Sequence, residues 1–146
     1  MMVASSVDLI LKFIPPELEL KEEHAGHHET FLCLEIKIEG KKFIYKLYDK
    51  RDNFPFDIVR MPHMSSNIPK AIFYSALVGE FLRIGRSTLK FDNFETKAKE
   101  LLKRMLSQGA NPSVSHKMII KIMSKHPEDF MQFKMDHNDI LESISR

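Results

Sequence analysis

Lysine and arginine side chains at helical spacing are the residues of this sequence whose pattern best fits a chemical role. Lys117, Lys121 and Lys125 recur at every fourth position, which places them on one face of a helix. Lys97 and Arg104 belong to a similar basic row earlier in the chain. Such rows neutralise phosphates and release condensed counterions, which gives affinity for a polyanion with little sequence preference. The pattern predicts contacts with a nucleic-acid backbone, and a merely solvated helix surface is the alternative.

Charge changes sign along the chain, although the net charge is only +2. Residues 1–40 carry a net charge of −5, residues 41–69 carry +3, residues 70–125 carry +7 and residues 126–146 carry −3. A central stretch this basic is the electrostatic footprint of a protein that binds a polyanion.

A second charged group lies near the middle of the chain. The sequence YDKRD at residues 48–52 places Lys50 and Arg51 between two carboxylates, Asp49 and Asp52. Lys50 and Arg51 could grip a backbone phosphate while the carboxylates hold their side chains or cap the following turn. A surface ion-pair cluster is the alternative.

Metal-binding and nucleophilic patterns are weak. His24, His27 and His28 share one segment, but their spacing does not match that of structural zinc ligands. Cys33 has no second cysteine to pair with and no obvious base, so it is interpreted as a small core residue. The sequence predicts no metal, no cofactor and no catalytic residue.

Length and composition indicate a compact intracellular protein. The chain has 146 residues, of which 43% are hydrophobic, enough to bury a core and too many for a disordered chain. The sequence contains neither an apolar run long enough to cross a membrane nor the pattern of a secretory signal. The expected location is cytoplasmic or nuclear, without membrane contact.

The spacing of apolar residues in the first half predicts a helix and a β-hairpin. A short N-terminal helix is expected over residues 6–14, where Pro15-Pro16 ends it. Alternation predicts a strand over residues 30–38, a turn at residues 39–42 (EGKK) and a second, antiparallel strand over residues 43–48.

A proline-rich connector at residues 49–69, with Phe54 and Phe56 as its aromatic anchors, leads to the helical half. Three longer helices are predicted from Pro69 onwards, followed by one or two short ones over residues 128–146. The whole is an α+β fold that ends in a three- to four-helix bundle. The predicted buried stripes are Phe73, Leu77, Phe81 and Ile84 in the first helix, Phe94, Ala98, Leu101, Leu102 and Met105 in the second, and Val114, Met118, Ile119, Ile122 and Met123 in the third.

The helix ends carry residues typical of caps. Asp92 and Glu95 have the spacing of a capping box, Gly109 suits a helix C-terminus, and Asn111-Pro112 begins the next helix. The short turn at residues 108–110 gives helix-turn-helix spacing, which ordinary pairs of packed helices also show.

Five motifs stand in order along the chain: FLCLEI (31–36), YDKRDNF (48–54), IVRMP (58–62), SNIP (66–69) and RIGR (83–86). In this order and spacing, the chain resembles the C-terminal part of retroelement reverse transcriptases, nearest to Penelope-like or related animal elements. The likeness covers residues 7–126. It implies a palm-edge remnant with hairpin and connector over residues 1–62 and a helical thumb-like domain over residues 63–146.

The resemblance also implies roles for single residues. Lys50 and Arg51 would contact the template-primer, Arg83 and Arg86 would face the duplex from the first thumb helix, and the basic rows between residues 97 and 125 would extend that surface. The implied partner is duplex nucleic acid or an RNA–DNA hybrid. The resemblance implies a second partner, the polymerase palm that this chain lacks.

Polymerase chemistry in that family needs clustered aspartates, which hold two metal ions in an aromatic-x-Asp-Asp turn. This chain contains no Asp-Asp pair, and it has Cys33 where the family usually has the aspartate of FLDL. We therefore expect a non-catalytic fragment that binds the nucleic-acid backbone.

Two other functions stay open. A helix-turn-helix domain could read bases through the helix over residues 112–125, although a face with lysine and without Arg, Asn or Gln favours phosphate contacts. A protein-interaction module could use Met and Phe side chains at residues 118–135 to pack against a partner.

Overall fold

The described part of the chain consists of a three-stranded antiparallel sheet followed by four α-helices. The structure is a computed structural model, and it describes residues 26–56, 58–59 and 61–145. The predicted α+β class, with a hairpin before a helical bundle, is confirmed. The helix expected over residues 6–14 lies outside the described residues.

The sheet contains the predicted hairpin and one further strand. Its strands are β1 (His28–Phe31), β2 (Leu34–Glu39) and β3 (Lys42–Leu47), in that spatial order. Glu39 pairs with Lys42, and Gly40 in the turn between them has a φ of 64°. Glycine adopts this left-handed conformation without the steric penalty of a Cβ, which explains why the chain reverses here.

The single strand predicted over residues 30–38 is wrong, because the chain reverses within it. Phe31 pairs with Leu34, so Leu32 and Cys33 form a tight turn in which Leu32 has a φ of 55°. A bulky residue in the left-handed region gives no turn signal in the sequence. Cys33 is exposed in this turn, so its interpretation as a core residue is also wrong.

The four helices pack into a bundle. They are α1 (Lys70–Arg86), α2 (Phe91–Ser107), α3 (Pro112–Lys125) and α4 (His137–Ser145), with short 3₁₀ turns at Lys50–Asn53, Pro127–Asp129 and Met131–Phe133. Helix α1 packs against both α2 and α3. Helix α4 also packs against α2 and α3. None of the described helices is both long and apolar enough to cross a membrane.

The core is aromatic at its centre. The rings of Phe81, Phe94 and Phe130 lie 5.6–5.8 Å from one another, and Phe133 lies 4.7 Å from Phe94. The predicted stripes of α1 and α2 are buried, with Leu102 only partly so. In α3 the stripe is rotated from the prediction: Val114 is 39% exposed, and the buried positions are Ser115, Ile119, Ile122 and Met123.

The helix ends account for the short turn between α2 and α3. Gly109 has a φ of 87°, its N–H donates to Leu106, and the Ala110 N–H donates to Met105, which is a Schellman motif. The Asn111 side chain then caps α3 by accepting from the Val114 N–H at 3.2 Å.

The predicted capping box of α2 is wrong. Helix α2 begins at Phe91, two residues before the start that an Asp92 N-cap would give, and its N-cap Lys90 makes no side-chain capping bond. Glu95 instead accepts a hydrogen bond from the Ser143 hydroxyl of α4 at 2.6 Å. The Glu95 carboxylate therefore accepts a tertiary hydrogen bond instead of the local bond of a capping box.

The sheet joins the helices at the end of β3. Leu47 is buried in the helical core, and the Leu89 N–H donates to the Tyr45 carbonyl at 3.2 Å. Contacts such as that of Asp52 with Lys97 cross the predicted domain boundary at residue 62, and the boundary itself stays a prediction.

Candidate nucleic-acid interface

The YDKRD segment leaves β3 through a turn that Asp49 organises. Its carboxylate accepts the backbone N–H of Arg51 at 3.1 Å and so caps the 3₁₀ turn. The guanidinium of Arg51 donates to the same carboxylate through Nε, at 2.8 Å to each oxygen, and through Nη2. These bonds outweigh burial and hold the pKa of Asp49 well below its usual value. Asp49 is 9% exposed, so this ion pair is a structural element of the turn.

A cleft of about 820 Å³ opens beside this turn. Its lining includes Arg51, Asp52, residues 54–56, Ile58, Val59 and Met61, together with side chains of helices α1 and α2. Of the lining residues that the structure describes, nine are charged, and we call this region the charged cleft. They are Asp49, Arg51, Asp52, Glu80, Arg83, Lys97, Glu100, Lys103 and Arg104.

Lys97 lies between two carboxylates in the charged cleft. Its Nζ is 2.6 Å from Asp52 Oδ2 and 3.1 Å from Glu100 Oε2. Burial lowers the pKa of Lys97, but the two hydrogen bonds to carboxylates outweigh it, and the pKa of Lys97 is raised. Lys97 is therefore a fixed cation that ties residue 52 to α2.

The two arginines that complete the charged cleft also have acidic partners. Arg83 Nη2 lies 2.7 Å from Glu80 Oε2. Arg104 has longer contacts, 3.5 Å to Glu100 and 3.7 Å to Asp49. The structure thus brings four of the predicted contact residues together, and all four are paired: Arg51, Arg83, Lys97 and Arg104. As phosphate contacts they stay predictions, since a phosphate would have to compete with a carboxylate already in place.

Lys50 and Arg86 lie apart from this group. Lys50 is exposed in the 3₁₀ turn and does not line the charged cleft. Arg86 Nε donates to Asp129 Oδ1 at 2.9 Å, and Arg86 Nη2 forms an ion pair with Asp129 Oδ2 at 2.8 Å. His126, Glu128 and Asp129 each place one ligand atom within 4.8 Å of the others. Because the Arg86 guanidinium already neutralises Asp129, this cluster is an ion-pair group rather than a set of open metal ligands.

The remaining predicted residues, Lys117, Lys121 and Lys125, form one exposed row on α3 that we call the lysine face. It lies opposite the buried side that contains Ile119 and Ile122. No described carboxylate forms an ion pair with any of the three lysines. Residues 101–127 contain no Asp or Glu at all. Within the described part of the chain, the lysine face is thus a row of cations that no carboxylate neutralises.

Two features of the charged cleft escaped the sequence reasoning. Lys97 and Asp52 are 45 residues apart, so no local spacing links them. Phe54 and Phe56, the predicted aromatic anchors of the connector, are 44% and 61% exposed where they line the cleft, so neither ring is buried in the core. Proline spacing marks an irregular segment, but it does not determine which way the aromatic side chains point.

Comparison of the chain with models of known protein families, with curated protein sequences and with solved structures finds no match.

Proposed function

We propose that this chain binds the sugar-phosphate backbone of a nucleic acid, without catalysing a reaction on it, and that the lysine face is the principal contact. One observation carries the proposal: the three lysines are exposed and have no ion-pair partner among the described residues, whereas four of the five cations that line the charged cleft are paired. A polyanion gains most from cations that are not already neutralised.

The dimensions of the lysine face suit a phosphate backbone. Eight residues separate Lys117 from Lys125, which is about 12 Å along a helix that rises about 1.5 Å per residue. Phosphates on one strand follow each other at about 3.4 Å along a duplex axis, so a face of this length spans three or four of them. Flexible lysine side chains act as point charges and can follow this spacing without reading bases.

We propose further that the chain is a C-terminal fragment of a retroelement reverse transcriptase, in which the natural ligand is the template-primer duplex or an RNA–DNA hybrid. The motif order from FLCLEI to RIGR supports this origin, as does a β-hairpin that precedes a helical bundle. The chain contains no Asp-Asp pair, which supports a binding role without polymerase chemistry.

The test is a set of titrations in which a labelled RNA–DNA hybrid, a DNA duplex and a single strand are bound across a salt series. The variant replaces Lys117, Lys121 and Lys125 by alanine. Each lost phosphate contact reduces the slope of log K against log salt by about 0.9 for a duplex, so we expect a slope shallower by about 2.7. Unrelated duplex sequences should compete equally, since phosphate contacts carry no base information.

A matched control removes three exposed lysines elsewhere, Lys41, Lys42 and Lys70, and so changes the net charge equally. If both variants reduce the slope alike, binding depends on net charge and the lysine face has no special role. Absence of binding to all three nucleic acids at low salt would refute the proposed function.

The apolar face of the sheet favours a second candidate function, which is the docking of a protein partner. The register places seven apolar side chains on one face: Phe31, Leu34, Ile36, Ile38, Phe43, Tyr45 and Leu47. Phe31 is 64% and Phe43 67% exposed, whereas only Leu47 is buried. Apolar surface of this kind marks interaction sites. Addition of the missing polymerase domain should then raise the thermal stability of this chain, and no change would remove this candidate.

A further inference from the structure

We propose that the charged cleft accepts the unpaired bases of a single-stranded nucleic acid, with Phe54 and Phe56 stacking on bases and Lys103 contacting phosphate. The proposal rests on the proposed function, because it adds an unpaired segment to the nucleic acid that the same protein would bind. It concerns a different surface from the lysine face.

An exposed aromatic pair forms the outer edge of the charged cleft. The rings of Phe54 and Phe56 lie 5.5 Å apart at an angle of 46°, and Val59 beside them is 66% exposed. Pro55 lies between the two residues in the sequence and fixes its own φ, while Phe54 has the extended backbone that a following proline favours. The proline therefore restricts the backbone beside the first ring, and both rings lie at the surface, where they can stack on planar groups.

The charge of the charged cleft is compatible with an anionic ligand. Its described lining contains five cations and four carboxylates. The carboxylates are all engaged by Arg51, Lys97, Arg83 or Arg104. Lys103 is exposed, and no described carboxylate pairs with it. The excess positive charge of the described lining is therefore that of Lys103, on α2.

Aromatic rings next to cations are the combination that binds single strands. Bases of a single strand expose their π faces and can stack on an aromatic side chain, whereas bases of a duplex are stacked on one another. The cleft volume of about 820 Å³ also lies within the range of pockets that enclose small planar ligands, about 300–1,000 Å³. If the rings instead bound a protein partner, the cleft would have equal affinity for a strand with bases and for one without them.

The experiment compares two labelled strands by fluorescence anisotropy: a thymidine oligonucleotide of about twelve nucleotides and an abasic strand of equal length and charge. The protein should bind the thymidine strand between about fivefold and about a hundredfold more tightly. Joint replacement of Phe54 and Phe56 by alanine should abolish this ratio. Replacement of Phe43 by alanine, a ring equally exposed but on the sheet, should leave the ratio unchanged.

The two proposals fail in different ways. Equal binding of the two strands, or a ratio that survives in the Phe54/Phe56 variant, would overturn the base-stacking proposal and leave the cleft to a protein partner. A Lys117/Lys121/Lys125 variant with unchanged affinity for both strands would overturn the role of the lysine face. It would leave base stacking intact if the ratio persisted.

Discussion

Removal of the charge of Asp49 tests whether the turn after β3 is held by an ion pair. The Asp49→Asn variant keeps a side-chain oxygen that can cap the 3₁₀ turn, because Asn and Asp are equally good caps. It removes the negative charge that accepts from the Arg51 guanidinium. It also leaves Arg51, whose side chain is 18% exposed, without its counter-charge. The change therefore isolates the electrostatic contribution.

The expected loss in free energy of unfolding is about 1.5–3 kcal/mol near neutral pH, the contribution of hydrogen bonds to charged groups. The pH dependence has a definite sign. Because the folded-state pKa of Asp49 lies below its unfolded value, the stabilisation is fully present above about pH 5. It is lost as the pH falls below about 4 towards the folded-state pKa. The difference between Asp49→Asn and the parent chain should shrink over this acid range.

The assay is urea denaturation of the parent chain and of two variants at several pH values between about 7 and 3. The control is Glu80→Gln, which breaks the Arg83 pair on α1, where both side chains are about one-third exposed. An exposed pair of this kind contributes about 0.5 kcal/mol or less. Equal small losses for both variants, or an Asp49→Asn difference that stays constant down to pH 3, would refute the reasoning.

Two further predictions concern the backbone. Gly79→Ala should stabilise α1 by up to about 1 kcal/mol, since a Cβ there meets no atom within 4 Å. Gly85→Ala should destabilise the protein by about 1–3 kcal/mol, because its Cβ would lie 2.8 Å from the Phe130 ring. Melting temperatures of the two variants that shifted in the same direction would contradict these two predictions. Leu32→Asn should raise the melting temperature, as Asn tolerates a φ of 55° and Leu32 is 83% exposed. A lower melting temperature would show that the leucine side chain contributes stability at this turn.

The helical part of the fold could be predicted because its signals are local. Apolar residues recur at helical spacing, Gly109 ends α2, and Asn111 begins α3, and each signal depends on neighbours within a few residues. The same locality explains the failures. The turn at Leu32 has no glycine or asparagine to mark it, and Glu95 is taken by a serine 48 residues away.

The candidate site was predictable in its residue types and less so in their electrostatic state. Lysines spaced by four on one helix share a face whatever the tertiary fold, so the lysine face could be predicted from the sequence. Whether a cation is neutralised depends on which carboxylates the fold brings near it. Arg86 meets Asp129 across 43 residues, and no spacing in the sequence indicates that pair.

The placement of the carboxylates separates two kinds of basic residue in this protein. Near the charged cleft, Asp49 and Asp52 bind cations of α2 and so join the turn after β3 to that helix. Glu80 and Glu100 bind cations within their own helices. A ligand that displaced them would lose that structural support together with the ion pairs. Residues 101–127 contain no carboxylate, and no described carboxylate pairs with Lys103 or with the lysine face. This difference is why the proposed phosphate contacts lie on α3 and at Lys103, while the paired arginines are assigned to holding the cleft in shape.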